Sequence, residues 1–169
     1  EYSRELSCKV FAGQCRLIHL GYRQGGFAGF GLRRMLINER GERKGILAFG
    51  EHKSIATDRV ILVPGPEEEQ KIVRWMYKMF IDELKSEQEI ANILNKQGIL
   101  TDLNRPWTKA SVHQVLTNEK YIGNSVFNRI SNKLKAKRTV NPESEWIRKE
   151  GAFEAIVEPS VFYVAKGII

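Results

Sequence analysis

The chain has 169 residues, with 27 Lys and Arg against 20 Asp and Glu, a formal net charge of +7 and 42% hydrophobic content. That is enough apolar material for one ordinary domain or two small ones, each with a buried core. No apolar run approaches the roughly 20 residues that span a bilayer, and the N-terminus lacks the basic, apolar, small-residue order of a signal peptide. The expected setting is cytoplasmic. The first residue is Glu1 rather than Met and the last three are Gly167-Ile168-Ile169, so the sequence reads as a piece of a longer protein.

From Glu1 to about Leu20, the residues Leu6, Val10, Phe11, Leu17 and Ile18 recur at helical spacing, with Arg4, Lys9 and Arg16 elsewhere on the surface. This predicts a helix with a basic side. Cys8 and Cys15 lie on it about 10 Å apart, beyond disulfide reach, and no histidine or second cysteine pair makes a zinc site of them. Five glycines between Gly21 and Gly31 then forbid a regular element. The segment lacks the spacing of a phosphate-binding P-loop that ends in Gly-Lys-Ser/Thr, and backbone passing close to a DNA groove suits it better. Leu32 to Ile37 and Gly45 to Phe49 flank the polar turn Asn38-Glu-Arg-Gly-Glu-Arg-Lys44 and predict a hairpin; Val60-Ile-Leu-Val-Pro64 predicts a further strand.

Pro66 followed by Glu67, Glu68 and Glu69 opens a helix, the carboxylates serving as charges at its positive end. Ile72, Val73, Met76, Phe80 and Leu84 form its core stripe. Ser86 and Glu89 form a capping box for a short helix with Ile90, Ile93 and Leu94 inside, stopped by Gly98. The stretch Asp102-Leu-Asn-Arg-Pro-Trp107 leads to a second helix capped by Thr108, with Val112, Val115 and Leu116 inward. Lys109, Ser111, His113 and Gln114 face other directions. Two short helices around a Gly-containing turn read as a helix-turn-helix, whose second helix presents its exposed N-terminal residues to base edges. Gln, Lys and His all carry hydrogen-bonding groups suited to bases or phosphates. Between Lys120 and Pro142 there is no acidic residue, while Arg129, Lys133, Lys135, Lys137 and Arg138 fall close together after the strand-like Asn124-Ser-Val-Phe-Asn128. Such a run either neutralises phosphates or forms a mobile charged loop. The segment from Phe153 to Phe162 reads as a strand entering a helix.

These residues resemble the recombinase domain of the large serine recombinases and integrases of phages and mobile elements. The resemblance is carried by an ordered set: Tyr2-Ser-Arg-Glu-Leu-Ser7 with Val10 and Gly13, Gly21, Ile72-Val73 with Phe80, Ile90-Ala91 with Leu94-Asn95, and Gly98-Ile99. It continues through Trp107, Val112, Val115-Leu-Thr-Asn118, Tyr121-Ile-Gly123 and Ile156-Val157. Three departures stand out. No serine here occupies the family's nucleophile motif, the glycine segment lacks the usual prolines and Gly-Tyr, and Cys8 stands where an acidic residue is common.

The resemblance implies an α+β fold: a long N-terminal helix, then a small mixed domain with a helix-turn-helix-like helix pair and short β-strands. Residues 1–20 would end a connecting helix from a catalytic domain, 21–31 would be a Gly-rich crossing linker, 32–157 the DNA-binding domain, and 158–169 the start of a helix toward a zinc ribbon. It implies double-stranded DNA as partner, one arm of an attachment site, with no membrane. Strand exchange through phosphoserine would belong to the parent protein, so that this chain binds DNA without cutting it. The parent would act as a dimer that forms tetramers, and this chain alone would be monomeric. No cofactor is expected among these residues; zinc would sit only in a ribbon after Ile169. The candidate DNA contacts are Arg4, Lys9, Arg16, Arg23, Gln24, Gly25, Gly26, Lys109, Ser111, His113, Gln114, Asn118 and Lys120. Two other readings compete: a winged-helix transcriptional regulator, which leaves the first helix and glycine segment without a role, and a protein-interaction module in which the charge only aids solubility.

Overall fold

The computed structural model describes residues 1–169. Helix α1 (Tyr2–His19) is followed by the linker and by three strands, β1 (Leu32–Ile37), β2 (Arg43–Leu47) and β3 (Arg59–Pro64), which form an antiparallel sheet in the order β2-β1-β3. The β1-β2 turn is closed by Asn38, whose Oδ1 accepts from the backbone N–H of Arg40 and Glu42, each at 2.9 Å. An Asn side chain that mimics the backbone in this way is the usual reason for its place at a turn.

Helices α2 (Glu67–Ile81), α3 (Glu87–Lys96) and α4 (Lys109–Thr117) come next, then a 3-10 turn over Glu119–Ile122. The short strands β4 (Ser125–Phe127) and β7 (Ile147–Lys149) pair with each other, as do β5 (Ile130–Ser131) and β6 (Thr139–Val140), before α5 (Pro159–Ile168) closes the chain. Met76, Tyr77 and Phe80 of α2, Ile90 and Leu94 of α3, Val112 and Leu116 of α4, and Phe162 and Ala165 of α5 share one core with Leu32 and Leu62 of the sheet and Phe30 of the linker. Each large apolar side chain taken fully from water contributes about 1.5–3 kcal/mol before entropy is charged against it. The core therefore fixes α4 from behind and the linker from beside it.

Helix α1 lies apart from that core. It packs on β4 and β7, with the Phe11 ring 6.2 Å from that of Phe127 and Ile18 buried, while Tyr2, Leu6 and Val10 remain exposed. It has no side-chain cap at its first turn. Both cysteines are free.

Three sequence expectations need correction. Leu84, expected in the core stripe of α2, lies beyond the end of that helix at Ile81 and is 77% exposed. Glu69 is more than a dipole charge: it forms an ion pair with Arg33 of β1 and accepts from the backbone N–H of Gly31 at 3.3 Å, which fastens the end of the linker to α2. The segment before α5 is not a strand. The N–H groups of Ile156 and Val157 both donate to the Tyr121 carbonyl, at 3.0 and 3.1 Å, and Phe153 N–H donates to Gly123 O at 2.9 Å. Bonds that converge on one carbonyl cannot form a ladder, so this buried stretch is a strap across the 3-10 turn. That strap makes Gly123 demanding. Its φ is +87°, and a Cβ there would run into the carbonyl of Phe153. Gly123→Ala is expected to cost at least the roughly 1–3 kcal/mol of a non-glycine residue forced into such a conformation. Urea denaturation checks this, and an unchanged midpoint would show that the strap yields.

Candidate nucleic-acid interface

Thr108 starts α4 with a reciprocal cap: its Oγ1 accepts from Ser111 N–H at 3.2 Å, and Ser111 Oγ accepts from Thr108 N–H at 2.8 Å. From that start, the helical period puts Val112, Val115 and Leu116 inside and leaves three outer sectors. Ser111, Gln114 and Asn118 line a cleft of about 480 Å³ between α4, the linker at Phe27, Gly29 and Phe30, and the connection from Thr101 to Thr108. His113 points elsewhere, with its Nδ1 2.7 Å from Oε1 of Glu87 on α3. Lys109 is exposed at the first turn.

The cleft walls are fixed by buried contacts. Trp107 meets Phe30 edge-on at 5.1 Å. Asn95 brackets Trp107, donating to its carbonyl at 2.8 Å and accepting from its N–H at 2.7 Å. Tyr121 Oη donates to Phe30 O at 2.8 Å, and Tyr77 Oη donates to Val115 O at 2.7 Å. Burial pushes both phenols well above their ordinary pKa, so they remain hydrogen-bond donors. The linker is thus a wall of the cleft rather than a free tether. The α3–α4 connection runs from Gln97 to Thr108, longer than the three or four residues usual in a helix-turn-helix.

One end of the cleft is cationic. Lys120 is half-buried there, and desolvation, assisted by the charges of Arg23 and Arg129 and opposed by Asp102, pulls its pKa from 10.5 down to about 8. Burial also lowers Arg23. Arg129 stacks over Trp146 at 4.9 Å. Neither Lys120, Arg23 nor Arg129 has a carboxylate partner among the chain's ion pairs. Like charges held together in a partly dry place are costly, and an anion set among them removes that cost.

The sign of the Lys120 effect follows from linkage. Below pH 8 the folded and unfolded chains are both protonated and the fold carries the full penalty. Between about pH 8 and 10.5 the unfolded chain holds the extra proton, so stability rises with pH, and above that it levels off. A phosphate beside Nζ restores the ammonium, so anion binding takes up a proton above pH 8 and weakens as pH rises. If Lys120 holds a phosphate of duplex DNA, duplex affinity falls between about pH 7.5 and 9.5, and falls less in Lys120→Arg, whose charge persists. Parallel pH profiles for the two proteins would contradict this placement of Lys120.

Gln114, Asn118 and Lys120 therefore come together in the cleft at one end of α4, and Arg23 is tied to its linker wall by donating to the Phe27 carbonyl at 3.3 Å. Ser111 shares the cleft but is committed to the helix cap, and Asn118 Oδ1 accepts from Lys120 N–H at 3.1 Å. Gln24, Gly25 and Gly26 lie on the linker near the three-stranded sheet, in a second cleft. Arg4 and Lys9 border a shallow depression on α1 together with Glu1 and Glu5, and Arg16 is exposed further along the helix. The structure also draws in residues that sequence reasoning did not single out as contacts. Asp102 lines the α4 cleft with Lys120, and Arg34, His52, Lys53 and Arg59 gather against the linker. No group of three or more His, Cys, Asp or Glu side chains is arranged to hold a metal.

Comparison with known proteins bears on this interface. The family model described as Recombinase matches residues 67–169, from the start of α2 to the end of the chain. The chain belongs to the Recombinase family. In this Recombinase-family chain, α2 through α5 and both halves of the α3–α4 pair fall inside the match, whereas α1, the linker and the three-stranded sheet precede it. A solved structure described as "Sequence Requirements of the Listeria innocua prophage attP site" is similar over 95% of this chain and 50% of its own, with a TM-score of 0.55 and 20% identity. That likeness is one of fold, and the chain spans half the length of that relative. No curated protein matches the sequence. No helix is long and apolar enough to cross a membrane.

Proposed function

We propose that this chain is the DNA-binding part of a serine site-specific recombinase and that it reads one arm of an attachment site in duplex DNA. The observation that carries the reading is the convergence of Gln114 and Asn118 on the outer face of α4 with the carboxylate-free cations Lys120 and Arg23 beside them. A hydrogen-bonding face next to anchored cations is what separates reading bases from neutralising phosphates. Membership of the Recombinase family and the prophage attP neighbour support it.

In this reading α4 enters the major groove, α3 backs it despite the long connection, and the linker follows the DNA from α1, which carries Arg4, Lys9 and Arg16 along the duplex. His113 contributes through Nε2, since Nδ1 is held by Glu87. The setting is the cytoplasm of a cell that hosts a mobile element. The phosphoserine chemistry and any zinc ribbon lie in other parts of the parent protein, which assembles from dimers to tetramers on DNA. Residues 1–20 and 21–31 act as helix and crossing segment ahead of the reading domain, whose core includes Phe162 and Ala165 of α5.

Nuclease footprinting on the DNA that flanks the element encoding the chain tests the reading. A protected tract at an element end, lost when that tract is scrambled, is expected. Uniform weak protection of all DNA would overturn arm recognition, and tight capture of single strands in preference to duplex would overturn the groove-reading geometry.

A further inference from the structure

A second cleft, of about 200 Å³, lies between the linker at Gln24, Gly25 and Gly26 and the three-stranded sheet. Arg23, Arg34, His52, Lys53 and Arg59 line it, and no acidic residue does. Its cations are positioned by backbone carbonyls. Arg34 Nη2 donates to Ala48 O at 2.7 Å, Lys53 Nζ to Ala56 O at 3.2 Å and Asp58 O at 3.0 Å, and Arg59 Nη1 to Ala56 O at 2.7 Å and Asp58 O at 3.0 Å. None of the four Arg and Lys side chains is in a salt bridge. Asp58, whose carbonyl holds two of them, has its own carboxylate paired with Lys44 at 2.7 Å. The linker is sewn to the sheet edge by Arg23 N–H donating to Val60 O at 2.6 Å, and Arg23 Nε is buried with no partner at all.

Three cations held by carbonyls, and a fourth, Arg23, held by the Phe27 carbonyl while its buried Nε is unsatisfied, line one cleft and imply an anionic occupant. The space is smaller than the roughly 300–1,000 Å³ of small-molecule sites, which suits one phosphate group and leaves no room for a nucleotide. We infer that this cleft seats a backbone phosphate of the duplex, so that the three-stranded sheet grips the DNA strand beside the tract that α4 reads. The inference rests on the DNA reading proposed above. Its occupant is a phosphodiester because Arg23 borders this cleft and donates through Nη2, at 3.3 Å, to the carbonyl of Phe27, which lines the α4 cleft. Arg23 thereby joins the two into a single cationic track, and a polymer of phosphates fills such a track where a free ion fills one point.

The seat positions the protein and carries no sequence information. Arg34→Gln with Arg59→Gln, and separately Lys53→Gln in case the double variant folds poorly, should be titrated with a specific and a scrambled duplex across a salt series. Both duplexes are expected to lose affinity by the same factor, on the order of tenfold, and the slope of log K against log salt should shrink by about 0.9 for the lost phosphate. Wild-type binding with an unchanged slope in both variants would overturn the seat and leave the DNA reading standing. Wild-type protein that binds neither duplex would overturn both. Inorganic phosphate serves as the small-anion probe: if it raises the melting temperature of wild type but not of the variants while DNA slopes stay equal, the cleft holds a free anion and the duplex assignment fails.

Discussion

Trp107→Ala is expected to lower folding stability by about 3–5 kcal/mol, the usual cost of removing a large aromatic side chain from a core. Trp107 is 3% exposed and meets Phe30 edge-on, so its removal opens a cavity between the helical core and the linker at once. The neighbours cannot collapse freely into that space, because Asn95 holds the Trp107 backbone from both sides and Tyr121 Oη holds the Phe30 carbonyl. The indole Nε1 is buried without an acceptor. Trp107→Phe therefore sheds an unsatisfied donor while keeping most of the ring, and should cost far less than the alanine change. Urea denaturation of the two variants decides the matter. A loss below about 1 kcal/mol for Trp107→Ala would mean that the linker is not packed as described, since a well-packed aromatic does not come out so cheaply.

Gln114→Ala is expected to weaken binding to the preferred duplex by about 1–3 kcal/mol, and to leave binding to scrambled DNA unchanged. Gln114 is exposed on α4 and lines the cleft. Its neighbours Ser111 and Asn118 already accept through their side-chain oxygens from backbone N–H groups, whereas the Gln114 side-chain amide takes no part in the chain's own hydrogen bonds. It can offer a donor and an acceptor to a base edge without breaking anything. Lys120 should behave differently. A cation at the phosphate backbone affects all sequences alike, while an amide at a base edge affects one. Equal losses on both duplexes for Gln114→Ala would place Gln114 on the backbone and move the reading face elsewhere on α4.

Local signals in the sequence were legible where one segment decides its own conformation. Ser86 with Glu89 and Thr108 with the first turn of α4 cap the expected helices, Gly98 adopts a φ of +73°, and the Asn38 turn joins two strands. What the sequence could not display depends on residues far apart in the chain. The strap at Ile156 and Val157 is apolar and reads as a strand, but its backbone donors find the Tyr121 carbonyl rather than a partner strand. Glu69 looks like a dipole charge until Arg33 and Gly31 arrive from another element. The same holds for the interface. Gln114 and Lys120 belong to one readable stretch. The gathering of Arg34, Lys53 and Arg59 around the linker follows from the fold of the sheet and from which carboxylates are already taken, as Asp58 is by Lys44. His113 shows the converse: its position on α4 suggests a contact, and Glu87 on α3 claims one side of its ring.

Whether this chain reads DNA sequence is decided by a binding selection against a random duplex pool, followed by titration of the recovered sequence and a scrambled control at several salt concentrations. A recovered motif bound on the order of a thousandfold more tightly than the control at physiological salt is expected, the low end for specific DNA-binding proteins. Binding that falls steeply with salt but recovers no motif would contradict sequence reading, because the clefts around α4 and the linker would then supply phosphate contacts alone.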